Sequence, residues 1–212
     1  MKRQLAIALL LFTAGCASSA VDMSEPRRIV GTENAVRIDG QVTVEELRPG
    51  AHVPIKWEIT NQRSAPIAVA DLVPQTDYDR DSHTFTVTIG SEVPGNQMLP
   101  RLVLIAPGEK RVFSGTARVA SILPPRSADV NVRVPPADFR MKLNFLGDTT
   151  PFSQLIDMKE NAVADAVLAD QLFPLWVERN EVVYTNAVPM RWSTFREPSS
   201  EQRVPTRRRG GF

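Results

Sequence analysis

The chain has 212 residues, 42% of them hydrophobic and 23% charged, with a formal net charge of +1. That length permits one large domain, or one domain with an appendage, and the near-neutral balance excludes an electrostatic grip on nucleic acid as the organising feature. A single cysteine excludes an intramolecular disulfide, so the core must hold by apolar burial alone.

At the N-terminus, Lys2 and Arg3 precede an unbroken apolar run over residues 5–12, LAIALLLF. The run is far short of the ~20 apolar residues of a spanning helix and has the length of a signal-peptide core. Small residues follow, and then Cys16. The stretch Thr13-Ala14-Gly15-Cys16 resembles the lipobox of bacterial lipoproteins, with Thr13 where the family usually carries Leu. The resemblance covers only residues 1–16. It implies cleavage after Gly15, diacylglycerol on the sulfur of Cys16 and acylation of the new amino group. In Gram-negative members an Asp after the cysteine retains the protein in the inner membrane. Ala17 at that place implies the outer membrane, facing the periplasm. The plainer alternative is an ordinary secretory signal cut further on, for example after Ala20, which would discard Cys16 and release the protein into the periplasm. Loss of residues 1–15 takes the charge from +1 to −1.

Residues 16–33 are small and polar, with Pro26 and an Arg pair, and read as a flexible tether above the lipid. From Val36 a period of two begins. Val36, Ile38, Val42 and Val44 alternate with polar residues, and Gly40 marks a bulge or a close approach on the apolar side. After the Pro49-Gly50 turn, Val53, Ile55, Trp57 and Ile59 alternate with Lys56, Glu58 and Thr60. Residues 61–66 read as a loop and 67–72 as a short apolar strand. Phe85, Val87 and Ile89 alternate with threonines, 102–106 is an apolar run, and 112–119 is a less regular strand. Val130, Val132 and Val134 alternate, as do Phe139, Met141, Leu143 and Phe145. About eight short strands with turn residues between them predict a mainly β fold over 34–148, an antiparallel immunoglobulin-like β-sandwich. Trp57, Phe85, Val87, Leu143 and Phe145 are its expected core.

After Gly147 the period lengthens. Thr150-Pro151 suggests a helix start, and Leu155, Ile156, Val163, Val167, Leu168 and Leu172 fall near helical spacing, with Pro174 as the stop. Trp176, Val177, Val182, Val183 and Tyr184 suggest one more strand. Residues 149–195 therefore read as a helical appendage with a strand, and 196–212 as a basic disordered tail.

The segment richest in chemistry runs from Thr76 to His83. Asp77, Asp79 and Asp81 at alternate positions, with His83, could converge on a hard cation such as Ca2+. The EF-hand pattern fails at Ser82 and Thr88, and the competing reading is a solvated polar loop. No metal or cofactor is assigned. Two histidines, His52 and His83, are too few for a usual catalytic zinc site, and no nucleophile motif or glycine-rich phosphate loop is present. Arg207, Arg208 and Arg209 could contact phosphates of lipid or polysaccharide through their guanidinium forks.

The expectation is therefore a non-enzymatic envelope lipoprotein. It would be held on the membrane by its N-terminal lipid and would serve as a binding, structural or assembly module for an envelope protein or the cell wall, without nucleic acid. The alternatives are a metal-dependent periplasmic hydrolase using Asp77, Asp79, Asp81 and His83, and a small-ligand carrier.

Overall fold

The computed structural model describes residues 27–44, 46–48, 50–79, 81–94, 98–119 and 136–192. In chain order the strands are β1 (Arg27–Glu33), β2 (Val36–Val42), β3 (Glu46–Leu47), β4 (His52–Asn61), β5 (Ile67–Ala70), β6 (Gln75–Asp79), β7 (Thr84–Ile89), β8 (Leu102–Ile105), β9 (Lys110–Arg118) and β10 (Asp138–Leu146). A 3-10 turn (Thr150–Phe152) leads into helices α1 (Ser153–Ile156) and α2 (Ala166–Arg179). Strands β11 (Asn180–Tyr184), β12 (Val188–Pro189) and β13 (Arg191–Trp192) follow.

Alternation builds the two sheets. In β4, Val53, Ile55, Trp57 and Ile59 turn inward while the residues between them face water, and β2 does the same with Val36, Ile38 and Val42. The first sheet runs β1-β2-β4-β9, antiparallel throughout. Gly40 is a close approach, as its interruption of the pattern suggested: an added Cβ would lie 2.5 Å from Met141 Sδ on the opposite sheet. The second sheet runs β6-β7-β10-β5-β8, with β11 and β12 also paired to β10, while β13 pairs β3 separately. Ile29, Ile38, Ile59, Phe85, Phe139 and Phe145 belong to the core between the sheets, as do Trp57, Val87 and Leu143. The protein is thus a mainly β, two-layer sandwich with a small C-terminal helical segment, and all five expected core residues are buried.

Several details differ from the sequence reading. The sandwich is not wholly antiparallel: β7 and β10 pair in parallel from Asp138↔Thr84 to Leu143↔Ile89, as do the short strands β3 and β13. Residues 27–33 are no tether. Fully buried Ile29 anchors them as β1, paired along its whole length with β2. The strand at 67–72 ends at Ala70, and Leu72 and Val73 are exposed. Pro174 does not end the helix but sits inside α2. It lies on the exposed face, so the carbonyl of Asp170, which loses its usual donor four residues on, belongs to an exposed residue open to water. Trp176 and Val177 are helical, and the strand begins only at Asn180. The strand expected around Val130, Val132 and Val134 lies outside the described residues, as do residues 1–26 and 193–212.

The helical segment makes a second core. Phe152, Leu155, Ala169, Leu172 and Trp176 pack on Ala68, Ala70, Leu102 and Leu146. Strand β5 is buried on both faces for this reason: Ile67 and Val69 serve the sandwich, Ala68 and Ala70 the helix layer. Asp165 caps α2, its carboxylate accepting the Leu168 N–H at 2.9 Å. Trp176 meets Phe152 edge to face and donates its indole N–H to Ser91 O at 3.0 Å.

Candidate functional site: the open edge of the sandwich

The acidic segment is a hairpin rather than a loop. Gln75–Asp79 forms the edge strand β6, paired with β7 from Gln75↔Thr88 to Asp79↔Thr84. Asp77 and Asp79 alternate onto its exposed side. The Asp79 carboxylate accepts the Ser82 hydroxyl at 2.7 Å and the backbone N–H groups of Asp81 and Ser82 at 3.0 and 3.4 Å. These bonds, the hydroxyl's first, hold its carboxyl below the usual carboxylate range. His83 closes the turn with φ of 53°, a left-handed conformation that histidine adopts more readily than most side chains. Its carbonyl accepts the Ala137 N–H at 2.9 Å, which positions the start of β10. Asp79 thus spends its oxygens on the turn. Among the described residues no three His, Cys, Asp or Glu side chains converge as metal ligands. His52 stands at the exposed start of β4. Cys16, Arg207, Arg208 and Arg209 lie outside the described residues.

The two lateral edges of the sandwich are unlike each other. At one edge β1 meets the end of β11: Val30 donates to Asn186 Oδ1 at 2.7 Å, and Asn186 donates back to Val30 O at 2.9 Å. That edge is stitched shut. At the other, β9 ends the first sheet and faces β8 and the connection from β5 to β6. Two bonds tie β9 itself to the second sheet there. Arg111 Nη1 donates to Leu104 O at 2.9 Å, and Thr76 Oγ1 donates to Arg118 O at 2.8 Å. Between them, residues 112–117 of β9 span about 20 Å at the strand rise.

A cleft of about 250 Å³ opens along this stretch, lined by Trp57, Phe113, Gly115, Val69, Val73 and Pro74 among others. Its geometry follows from β9. Phe113, Gly115 and Ala117 face inward, and the residue in the middle has no side chain. An added Cβ at Gly115 would lie 3.1 Å from Trp57 Cη2 and 3.3 Å from Pro74 Cδ, so glycine lets these rings approach. Trp57 stacks on Phe113 with centroids 5.8 Å apart and planes 12° from parallel. Trp57 is 5% exposed, and its indole Nε1, buried, has no hydrogen-bond partner among the described residues. A buried unpaired donor costs about 1–3 kcal/mol; His83 Nδ1, Arg101 Nε and Asn180 Oδ1 are likewise buried without a partner among the described residues.

The sequence marks Trp57 as a core residue but does not disclose the cleft. The signal that could have found it is the Ser114-Gly115-Thr116 break in an otherwise inward-facing row. No protein-family model matches the chain, and neither does any curated protein or solved structure.

Proposed function

We propose that the protein is a non-enzymatic cell-envelope lipoprotein, anchored through lipid on Cys16 at the periplasmic face of the outer membrane, whose sandwich docks a protein partner in the envelope. The lipid anchor rests on the positive start, the short apolar core and the Gly15-Cys16 junction. The binding role rests on one observation: the cleft at the open edge, walled by the Trp57–Phe113 stack and lined also by polar Asp71, Ser114, Thr116 and Asn161. Concave sites that set aromatic walls beside polar groups are what recognition uses. The cleft is smaller than the about 300–1,000 Å³ of common small-ligand pockets, which favours a segment of a larger partner over a carried small molecule. The hydrolase reading draws no support from Asp79, whose oxygens hold the turn.

Site-specific photocrosslinking in cells tests this reading. A photoreactive residue at Val73, exposed and lining the cleft, is expected to give a discrete adduct, and the same residue at Val167 on α2, also exposed, is not. Cys16→Ser is expected to abolish lipid labelling and membrane retention, because the oxygen cannot replace sulfur in the transfer. Equal crosslinking at both positions would remove the docking role. Unchanged membrane association of the serine variant would remove the anchor.

A further inference from the structure

We propose that the partner enters as an extended peptide that adds to β9 as a further strand, with one inward side chain offering an oxygen acceptor to Trp57 Nε1 and acidic residues at its ends. The proposal rests on the docking role assigned above and names the chemistry of its ligand.

Three observations carry it. First, β9 is the last strand of its sheet among the described residues and pairs on one side only, with β4, over Lys110 to Arg118. Its other side carries backbone donors and acceptors in the spacing that an incoming strand completes. The cross-sheet bonds at Arg111 and Arg118 bound a stretch of about six residues at strand rise, the length of an ordinary strand.

Second, Trp57, whose ring lines the cleft, holds a donor that is already desolvated. Trp57 is more than nine-tenths buried and its Nε1 has no acceptor among the described residues. In an added strand, side chains alternate between the two faces, so every second one turns toward the cleft. Glutamine or asparagine there brings a carbonyl oxygen to an N–H that has already lost its water. A leucine fills the same space and leaves the donor unpaired.

Third, the charges on the strand have one sign. Lys110, Arg111 and Arg118 stand on β9 with no acidic residue among them, near its two ends. Lys110 has a surface contact with Glu58 at 3.7 Å, and Arg111 is tied to Leu104 O, which leaves Arg118 the more open of the end charges. Acidic residues at the ends of the guest strand complement this pattern, and basic ones oppose it.

The experiment uses the full-length chain in detergent, isotope-labelled at tryptophan, and four synthetic nonapeptides. The parent alternates Val and Thr with Gln at the centre, Asp at one end and Glu at the other. The controls carry Leu at the centre, Lys at both ends, or Pro beside the centre, which removes a backbone N–H. The parent is expected to bind at or below about 1 mM and to move the Trp57 indole N–H resonance downfield, that resonance being identified by its loss in Trp57→Phe. Each control is expected to bind at least about tenfold more weakly. Lys110→Glu with Arg118→Glu, both at exposed positions, is expected to keep the fold and to reverse the preference between acidic and basic ends. Equal binding of all four peptides, no binding at about 1 mM, or an unmoved indole resonance would overturn the proposal. So would an indole shift that follows the protein's own concentration, which would put a second copy of the chain in the cleft. If the crosslink at Val73 persists while every peptide fails, docking stands and strand addition falls.

Discussion

Trp57 and Phe113 face each other in register across β4 and β9, and their rings stack nearly parallel at the one edge of the sandwich that is not stitched shut. The pair holds the end of the first sheet. Aromatic pairs of this kind contribute about 0.5–1.5 kcal/mol beyond their buried area. Phe113→Leu is therefore expected to lower stability by about 1 kcal/mol, read as a reduced denaturant midpoint at an unchanged slope. A changed slope would mean that the edge opens more widely than the loss of one ring explains.

The second core is expected to unfold with the first. Strand β5 lends alternate residues to both cores, and Phe145 and Leu146 at the end of β10 are divided between them in the same way. Trp176→Ala removes a fully buried ring and its bond to Ser91 O, and should cost about 3–5 kcal/mol. Near- and far-ultraviolet circular dichroism should still report one coincident transition. A separate early loss of helix signal would show that the helix layer is an independent unit.

Asn61 ends β4 with no solvent exposure. Its side chain donates to Ala65 O at 2.9 Å and Ile105 O at 3.0 Å, and its Oδ1 accepts the Arg63 N–H at 3.0 Å. Asn61→Ala strands three backbone groups, each costing about 1–3 kcal/mol if left unpaired. Allowing for water reaching the loop side, we expect a loss of about 3 kcal/mol. A thermal melt shows it, and a shift within error would mean that the 61–66 loop repacks.

Acid should weaken the fold through particular carboxylates. The Arg28 guanidinium, donating to Asp39 across β1 and β2 with help from Arg37, holds the Asp39 carboxyl below its ordinary range. Asp148 is lowered by the Thr150 backbone N–H first, and by Arg179. Asp79 is lowered by its turn. Folded values below the unfolded value of about 3.9 mean that this stability is present above about pH 4 and is lost as the pH falls through the depressed folded values. Melting temperature should thus be flat near neutrality and drop below about pH 4. Asp39→Asn should melt lower at neutral pH and show a shallower acid drop. An unaltered acid profile in that variant would assign the pH dependence elsewhere.

The β6–β7 hairpin should be indifferent to calcium. About 1 mM Ca2+, or its removal by chelator, should leave the melting temperature unchanged, since a site of that strength would need ligands that Asp79 has already committed. A reproducible shift that disappears in Asp79→Asn would make the turn a cation site after all.

How much of this was legible in the sequence depends on what each element buries. Strands with one wet and one dry face announce themselves, and β2, β4, β7 and β10 stand where the alternation puts them. Strand β6 did not, because Thr76, Asp77, Tyr78 and Asp79 carry the composition of a loop. Only its pairing with β7 makes it a strand. Strand β1 was hidden by its flanking arginines, with Ile29 as the one fully buried side chain. Pro174 reads as a stop in any one-dimensional rule, and the fact that it faces water is a tertiary one. The cleft was least visible of all. It arises from a missing side chain at Gly115 and from what lies opposite it, and spacing along one strand carries neither.

The parallel pairing of β7 with β10 also has a consequence for how the chain is assembled. The strand in the middle of the second sheet finds one neighbour 54 residues earlier, as the Arg140–Thr86 bond records. It meets β5, earlier still, at Leu146↔Ala68, while β11 and β12 are made only afterwards. Contacts this distant in sequence slow folding, since loop closure must precede the pairing that rewards it. A chain emerging from its N-terminus can form the first sheet from residues 27–118, but it can complete the second only after residue 180 has appeared.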